Sequence, residues 1–301
     1  MTSEPEAGRT ARSRRSPLIR LAINLVAAFV VIDVGLQIVL GVVQPDGGPI
    51  GLLGVVAQPV ALLGLLAIPI AIASKTRRIW IALAALAVVA ALRFGGDWIS
   101  LPPVSALSPE PTITIATWNL EIRSRTADST VSGLRGVTAD VIVLQELTVE
   151  PAAAIDADAE LATRYPYRLL HAATGVTGMG VLSNVPIDFV RETRGPIIQE
   201  VVLRTAFGPL RVVNVHPFPP HYGAAARGVE VVYDPSARNA DLVRIRTLLD
   251  HRIGAGELVV LAGDTNTSAS EPAFGRLMAG LHDAHSEVGG GPGWKKNEAG
   301  H

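Results

Sequence analysis

Cysteine is absent from the 301 residues. Disulfides, zinc–thiolate centres and thiol nucleophiles are therefore excluded, and the absence fits a domain outside the cytoplasm. An excess of charge is missing too: 26 Lys and Arg face 27 Asp and Glu, a formal net charge of −1. Such a chain carries no global basic field to draw it onto nucleic acid. No internal repeat is visible, which sets aside repeat architectures.

Apolar residues are in excess instead. The chain is 49% hydrophobic with a mean hydropathy of +0.35, too apolar for an ordinary soluble enzyme, and the surplus lies in the first third. Residues 18–43 and 50–73 are each long enough to cross ~30 Å of hydrocarbon. The Gln-Pro-Asp-Gly-Gly-Pro stretch 44–49 between them reads as a tight turn. A third run, 79–92, is shorter and spans only if Arg93 snorkels and Phe94 and Trp98 lie in the interface. Arg12, Arg14, Arg15 and Arg20 precede the first run, and Lys75, Arg77 and Arg78 separate the second from the third. Both basic segments belong on the cytoplasmic side. Three spans put everything after about residue 101 outside the cytoplasmic membrane; two spans keep it inside. Arg14-Arg15 suggests a twin-arginine signal, but the further apolar runs favour a membrane anchor over a removed one. Asp33, with Gln37 one turn later, is an acid inside the first run. It is either a functional intramembrane group or half of a polar pair packed between helices.

The expected organisation is a basic cytoplasmic tail at 1–17, a transmembrane region at 18–101 with three helices, a Pro-rich linker at 102–111 and one domain at 112–301. About 190 residues suffice for a domain with a substantial core. Strand patterns are expected at 112–117, 139–144, 167–171, 179–182, 197–205, 210–215 and 257–262, and helices at 129–137, 151–164 and 235–252. Hairpins mixed with helices argue for packed sheets with helices outside, not a purely doubly wound sheet.

Four of these strands end in chemistry-bearing residues: Asn119, Gln145-Glu146, His216, and Asp264 with Asn266 in the Gly-Asp-Thr-Asn run 263–266. Strand ends are where α/β sheets place ligands. Oxygen donors without thiolates suit a hard divalent cation, Mg2+ or Mn2+. Each residue also has a plain structural reading. Asn119, Asp264 and Asn266 are turn formers, and a lone histidine is commonly structural. His216 precedes Pro217, Pro219 and Pro220, which would stiffen the loop presenting its imidazole. Phosphoryl chemistry needs a cation, a carboxylate to orient water, and donors for transition-state charge, and these residues supply that set.

The sequence resembles the endonuclease/exonuclease/phosphatase superfamily, the DNase-like metal-dependent phosphoesterases. The matching residues are Thr117-Trp118-Asn119, the run 140–146 ending in Gln145-Glu146, the run 178–183, Val213-Asn214-Val215-His216 and Gly263-Asp264-Thr265-Asn266. They occur in family order across nearly the whole soluble part. The resemblance implies an α/β fold, a four-layer α/β/β/α sandwich following the N-terminal transmembrane helical region. It also implies metal-dependent cleavage of phosphate esters or anhydrides. Glu146 would hold the metal with help from Asn119, and His216 would stabilise the phosphoryl oxygens. Asp264 would orient the attacking water, Asn266 would touch the phosphate, and Arg238 would be a further substrate contact.

The family closes with an Asp-His pair at the start of a last core strand. Here Leu281-His282-Asp283-Ala284 resembles the approach to it, but Lys295 to His301 does not supply the pair, so a C-terminally truncated domain is expected. The layout of three spans followed by the domain resembles membrane phosphatases associated with glycopeptide resistance, which act on lipid-linked pyrophosphate. The leading expectation is therefore a multi-pass, Mg2+-dependent phosphatase whose domain lies outside the cytoplasm, with a membrane lipid pyrophosphate as one candidate substrate. The alternatives are a metal-dependent nuclease and a catalytically degenerate binding protein anchored in the membrane.

Overall fold

The computed structural model describes residues 16–99, 112–122, 126–192, 198–224 and 231–289. The linker at 102–111, nearly all of the basic tail and the ending at 290–301 lie outside the described residues. The chain divides into two compact units.

The first unit is helical. It holds α1 (Pro17–Val43) and a second rod of α3 (Ala57–Leu63), a 3-10 turn and α4 (Ile68–Ser74). It ends with α5 (Arg77–Trp98). The helix α2 (Gly48–Val55) belongs to the other unit. Ser16 caps α1 through its side chain, with Pro17 in the first turn, where a missing N–H costs nothing. Three segments, Pro17–Val43, Ala57–Ser74 and Arg77–Gly96, are long and apolar enough to cross a membrane. Their outward faces are apolar: Leu18, Leu21, Leu25, Ile32, Leu66, Ile81 and Leu92 are all exposed, a surface that suits lipid rather than water. Inward, Ile23 and Val30 pack on Ile79, Leu83 and Leu86.

Two expectations change here. The second rod starts at Ala57, because residues 50–55 form α2 in the other unit. The third helix runs through Arg93 to Trp98 instead of stopping at the charge. Arg93 donates to Gln37 Oε1 and lies 4.8 Å from the Phe94 ring, so its charge is met inside the unit. Gln37 in turn donates to Asp33 Oδ1 at 3.2 Å and to the Ala57 carbonyl at 3.0 Å. Asp33 and Gln37 are therefore a polar pair packed between helices.

The second unit is a sandwich. One sheet runs β1 (Ile115–Asn119), β2 (Val141–Gln145), β4 (Met179–Ser183) and β3 (Tyr167–His171). The other runs β10 (Leu258–Gly263), β7 (Gly208–Val215), β6 (Ile198–Thr205) and β5 (Ile187–Glu192). A short hairpin pairs β8 (His221–Ala224) with β9 (Val231–Asp234). The helices are α6 (Ala127–Gly136), α7 (Val149–Ala157), α8 (Ala159–Arg164), α9 (Ser236–Gly254) and α10 (Pro272–Met278).

Strand alternation sorts the residues into layers. Val141 and Val143 face Val201, Leu203 and Val212 between the sheets. Ile142 and Leu144 face Leu134, Ile155 and Leu161 of α6 to α8. Val213 and Val215 meet Leu242, Ile245 and Leu249 of α9 and Leu277 of α10. The result is helix, sheet, sheet, helix: the expected four-layer arrangement.

Strands β5, β8 and β9 and helix α10 were not foreseen, and the helix expected at 151–164 is two. Asp158 breaks it. Its Oδ1 accepts from Leu161 N at 2.9 Å, capping α8, and its Oδ2 bonds Arg135.

At the end of the first sheet away from the strand-end residues, Asp140 ties three segments. Its carboxylate accepts from Thr114 N at 2.7 Å and from Asn184 Nδ2 at 2.9 Å. The Thr114 amide, then Asn184, holds its pKa below the usual carboxylate value against a small opposing effect of burial. A depressed folded pKa contributes stability that is full above the unfolded value of ~3.9 and lost as pH falls through the folded one. Asp140→Asn should therefore lower stability by about 1 kcal/mol at pH 7, discounted for solvent exposure. The deficit should shrink in acid below pH ~4, checked by thermal melts across pH.

Candidate active site

Both parallel strand pairs end at the same place. Asn119 lies in register with Gln145, so Glu146 is the first residue beyond that pair. Gly263 lies in register with Val215, so Asp264 and His216 are the first residues beyond the other. A side chain at position 263 is forbidden: φ is 132° and a Cβ would sit 2.1 Å from the Val215 carbonyl. That close approach also lets Asp264 N reach the same carbonyl at 3.1 Å.

The side chains converge on Asn119. Its amide nitrogen donates to Glu146 Oε1 at 3.0 Å and to Asp264 Oδ2 at 2.9 Å. Its oxygen accepts from Glu121 N at 2.9 Å. The other Glu146 oxygen accepts from Ile122 N at 3.0 Å. His216 is buried, with Nε2 3.6 Å from Glu146 Oε1 and Nδ1 3.0 Å from the Val176 carbonyl. A carbonyl only accepts, so Nδ1 carries a proton and Nε2 is the nitrogen turned to the site. Asp264 Oδ1 accepts from Asn266 N at 2.8 Å, and Asn266 Nδ2 donates to the Pro217 carbonyl at 2.9 Å.

Two carboxylates thus share one neutral amide. Among the described residues neither pairs with Lys or Arg, and the only ion-pair neighbour of Glu146 is His216. No cluster of three or more His, Asp or Glu ligands occurs among the described residues. The donor set is hard oxygen with uncompensated negative charge, which fits Mg2+ or Mn2+ completing its shell with water or substrate oxygens. Glu146 and Asn266 both hold left-handed backbone, at φ 56° and 50°. Non-glycine residues keep such angles only where their surroundings enforce them, and such positions gather at functional sites.

Arg238 is placed in α9. It was expected to contact substrate, but it is 1% exposed. Its guanidinium donates to Asn239 Oδ1, Glu271 and the Asn266 carbonyl. All five of its N–H donors are taken, so none is left for a phosphate. It lies behind the site and holds the Asn266 backbone in place. Burial raises the Glu271 pKa, but bonds from Arg238, Tyr233 and Ser268 N outweigh it and the net shift is downward. The Tyr233 hydroxyl, buried and donating to Glu271 at 2.5 Å, is pushed up.

Sequence reasoning also assigned no role to the amides beneath the site. Asn214, wholly buried in β7, donates to the Leu144 and Gly180 carbonyls and to Gln199 Oε1, and accepts from Gln145 Nε2 at 2.7 Å. It stitches both sheets together at the site end. The signal was there: Gln145 and Asn214 interrupt the apolar runs Val-Ile-Val-Leu and Val-Val-Asn-Val. Asn214→Ala should cost about 3 kcal/mol, since buried partners lose their bonds and a small cavity opens. Calorimetry should show the melting midpoint falling by roughly 6–12 °C.

No curated protein sequence matches the chain. Among solved structures, sphingomyelinase C from Streptomyces griseocarneus aligns at 24% identity over 56% of this chain and 70% of its own, with a TM-score of 0.43. Truncated Caenorhabditis elegans TDP2 aligns at 16% identity over 52% of this chain and 63% of its own, TM-score 0.40. Beta toxin from Staphylococcus aureus aligns at 13% identity over 56% and 70%, TM-score 0.41. A family model covers residues 116–299, more than half the sequence and every strand-end residue described above. The chain belongs to the Endonuclease/Exonuclease/phosphatase family.

Proposed function

We propose that this chain is a membrane-anchored, divalent-metal-dependent hydrolase of phosphate esters or anhydrides. The observation that carries the reading is the meeting of Glu146 and Asp264 on one Asn119 amide, with His216 Nε2 beside them. Glu146, with the Asn119 side chain, would hold the cation, which when bound neutralises phosphate oxygens. His216, its ring fixed through Nδ1, presents Nε2, which in the doubly protonated ring would donate to a phosphoryl oxygen. Asp264, held by Asn119 and by Asn266 N, orients the attacking water. Asn266 spends one amide hydrogen on Pro217 and has the other for a phosphate oxygen.

The three apolar helices and their exposed apolar faces support anchoring. Sidedness draws support from residues 45–55, which join α1 to α3 and belong to the same compact unit as the sandwich. That loop carries no Lys or Arg; in the proposed topology it faces away from the basic segments, and a domain on its side would be extracytoplasmic. A lipid-linked pyrophosphate follows as the preferred substrate class. The near-neutral charge weighs against a nuclease.

The test is phosphate release from a polyprenyl pyrophosphate in detergent with and without Mg2+, run beside DNA cleavage over a range of salt. Metal-dependent release is the expected result. Salt-sensitive DNA cleavage without it would overturn the lipid reading in favour of a nuclease.

A further inference from the structure

Residues 45–55 connect two membrane-type helices, yet their bonds run to the catalytic loop's supports. Asp46 Oδ1 accepts from Arg276 Nη2 at 2.8 Å, and the Gly54 carbonyl accepts from Ser270 Oγ at 2.9 Å. Helix α2 lies against β9, and a Cβ on Gly51 would meet the Tyr233 ring at 3.4 Å. From there two lines lead inward. Ser270 Oγ bonds Ser268 Oγ at 2.9 Å, and Ser268 N donates to Glu271 Oε1 at 2.7 Å. Tyr233 reaches Glu271 directly. Glu271 pairs with Arg238, and Arg238 donates to the Asn266 carbonyl at 2.9 Å. Asn266 is the residue whose left-handed backbone needs an outside hold.

We propose that the inter-helix segment 45–55 is a positioning element for the Asp264–Asn266 loop, so that turnover depends on this segment as well as on the strand ends. The coupling to turnover rests on the phosphohydrolase reading above; the positioning itself does not. The segment bonds Ser270 and packs on the Tyr233 ring, the two residues that lead to Glu271. Without it, Glu271 and Arg238 lose the packing that holds the Asn266 carbonyl, and the loop is free to leave φ 50°.

The full chain in detergent provides the test. Because it has no cysteine, Gly47→Cys with Pro235→Cys reports the docking directly; a Cβ on Gly47 would lie 3.3 Å from Pro235 Cδ. Oxidation or a short thiol cross-linker should join the pair, and failure to join overturns the proposal. The second arm is Asp46→Ala with Ser270→Ala, read by hydrogen exchange. Exchange at 264–271 should quicken about tenfold with β7 unchanged. The same pair should lower kcat about tenfold with KM and the melting midpoint little changed, and Ser270→Thr with native Asp46 should restore it. Unchanged exchange at 264–271, or a loss of kcat that merely follows a loss of melting temperature, overturns the positioning role. If the wild type hydrolyses no phosphate substrate while exchange still responds, the functional reading fails and the positioning stands.

Discussion

Glu146→Ala is expected to lower Mg2+-dependent phosphate release by at least about a hundredfold to a thousandfold. In the proposed reading the carboxylate is the charged metal ligand on the β2 side, and its loss would leave Asp264 and Asn119 without the second anion that would draw a cation there. Steady-state kinetics over a range of Mg2+ checks it. Retention of activity within a few-fold would sink the assignment of Glu146 to the metal. Glu146→Gly separates chemistry from folding, because both variants remove the same carboxylate. Only glycine accepts φ 56° without a steric penalty, so the Gly variant should be more stable than the Ala variant by about 1 kcal/mol while equally inactive. Thermal melts of the two, side by side, test whether the site stores backbone strain.

Arg238→Met is expected to destabilise the sandwich by about 3–5 kcal/mol, because it strands Glu271 as a buried, unpaired charge. Glu271 keeps its bonds from Tyr233, Thr267 and Ser268, but its ion-pair partner, bound at 2.7 and 3.1 Å, is gone. The Asn266 carbonyl loses its donor as well. The outcome also distinguishes two roles for the residue. A substrate contact would raise KM and leave the melting midpoint near wild type; a buried clamp lowers the midpoint by roughly 6–20 °C. An unchanged midpoint with raised KM would restore the substrate-contact role that the geometry denies.

Much of the candidate site's placement was legible in the sequence because parallel strands deliver their terminal residues to one edge. The apolar runs before Glu146 and Asp264 mark β2 and β10, and the residue after each run is the first that is free to face a ligand. Asn119 and His216 follow the same rule at β1 and β7. The three apolar helices were legible for a similar reason: hydrocarbon demands long uninterrupted runs. The third was read as shorter because the charge at Arg93 interrupts its apolar run, and only packing reveals that Gln37 meets it.

What the sequence determined by itself is local. It set which runs are strands, which are membrane-length helices, where the basic segments fall, and which carboxylates and imidazole stand at strand ends. The tertiary structure decided what those ends share. Glu146 and Asp264 are separated by 118 positions in the chain, and only sheet packing brings both onto Asn119. It also buried Arg238 against Glu271 and the Asn266 carbonyl. A guanidinium on a helix reads the same in sequence whether it faces solvent or a buried glutamate, and Glu271 is supplied by a loop no periodicity predicts. The physical reason is one of range. Periodicity reports the face a residue shares with its near neighbours, whereas a buried charge is defined by a partner from elsewhere in the chain.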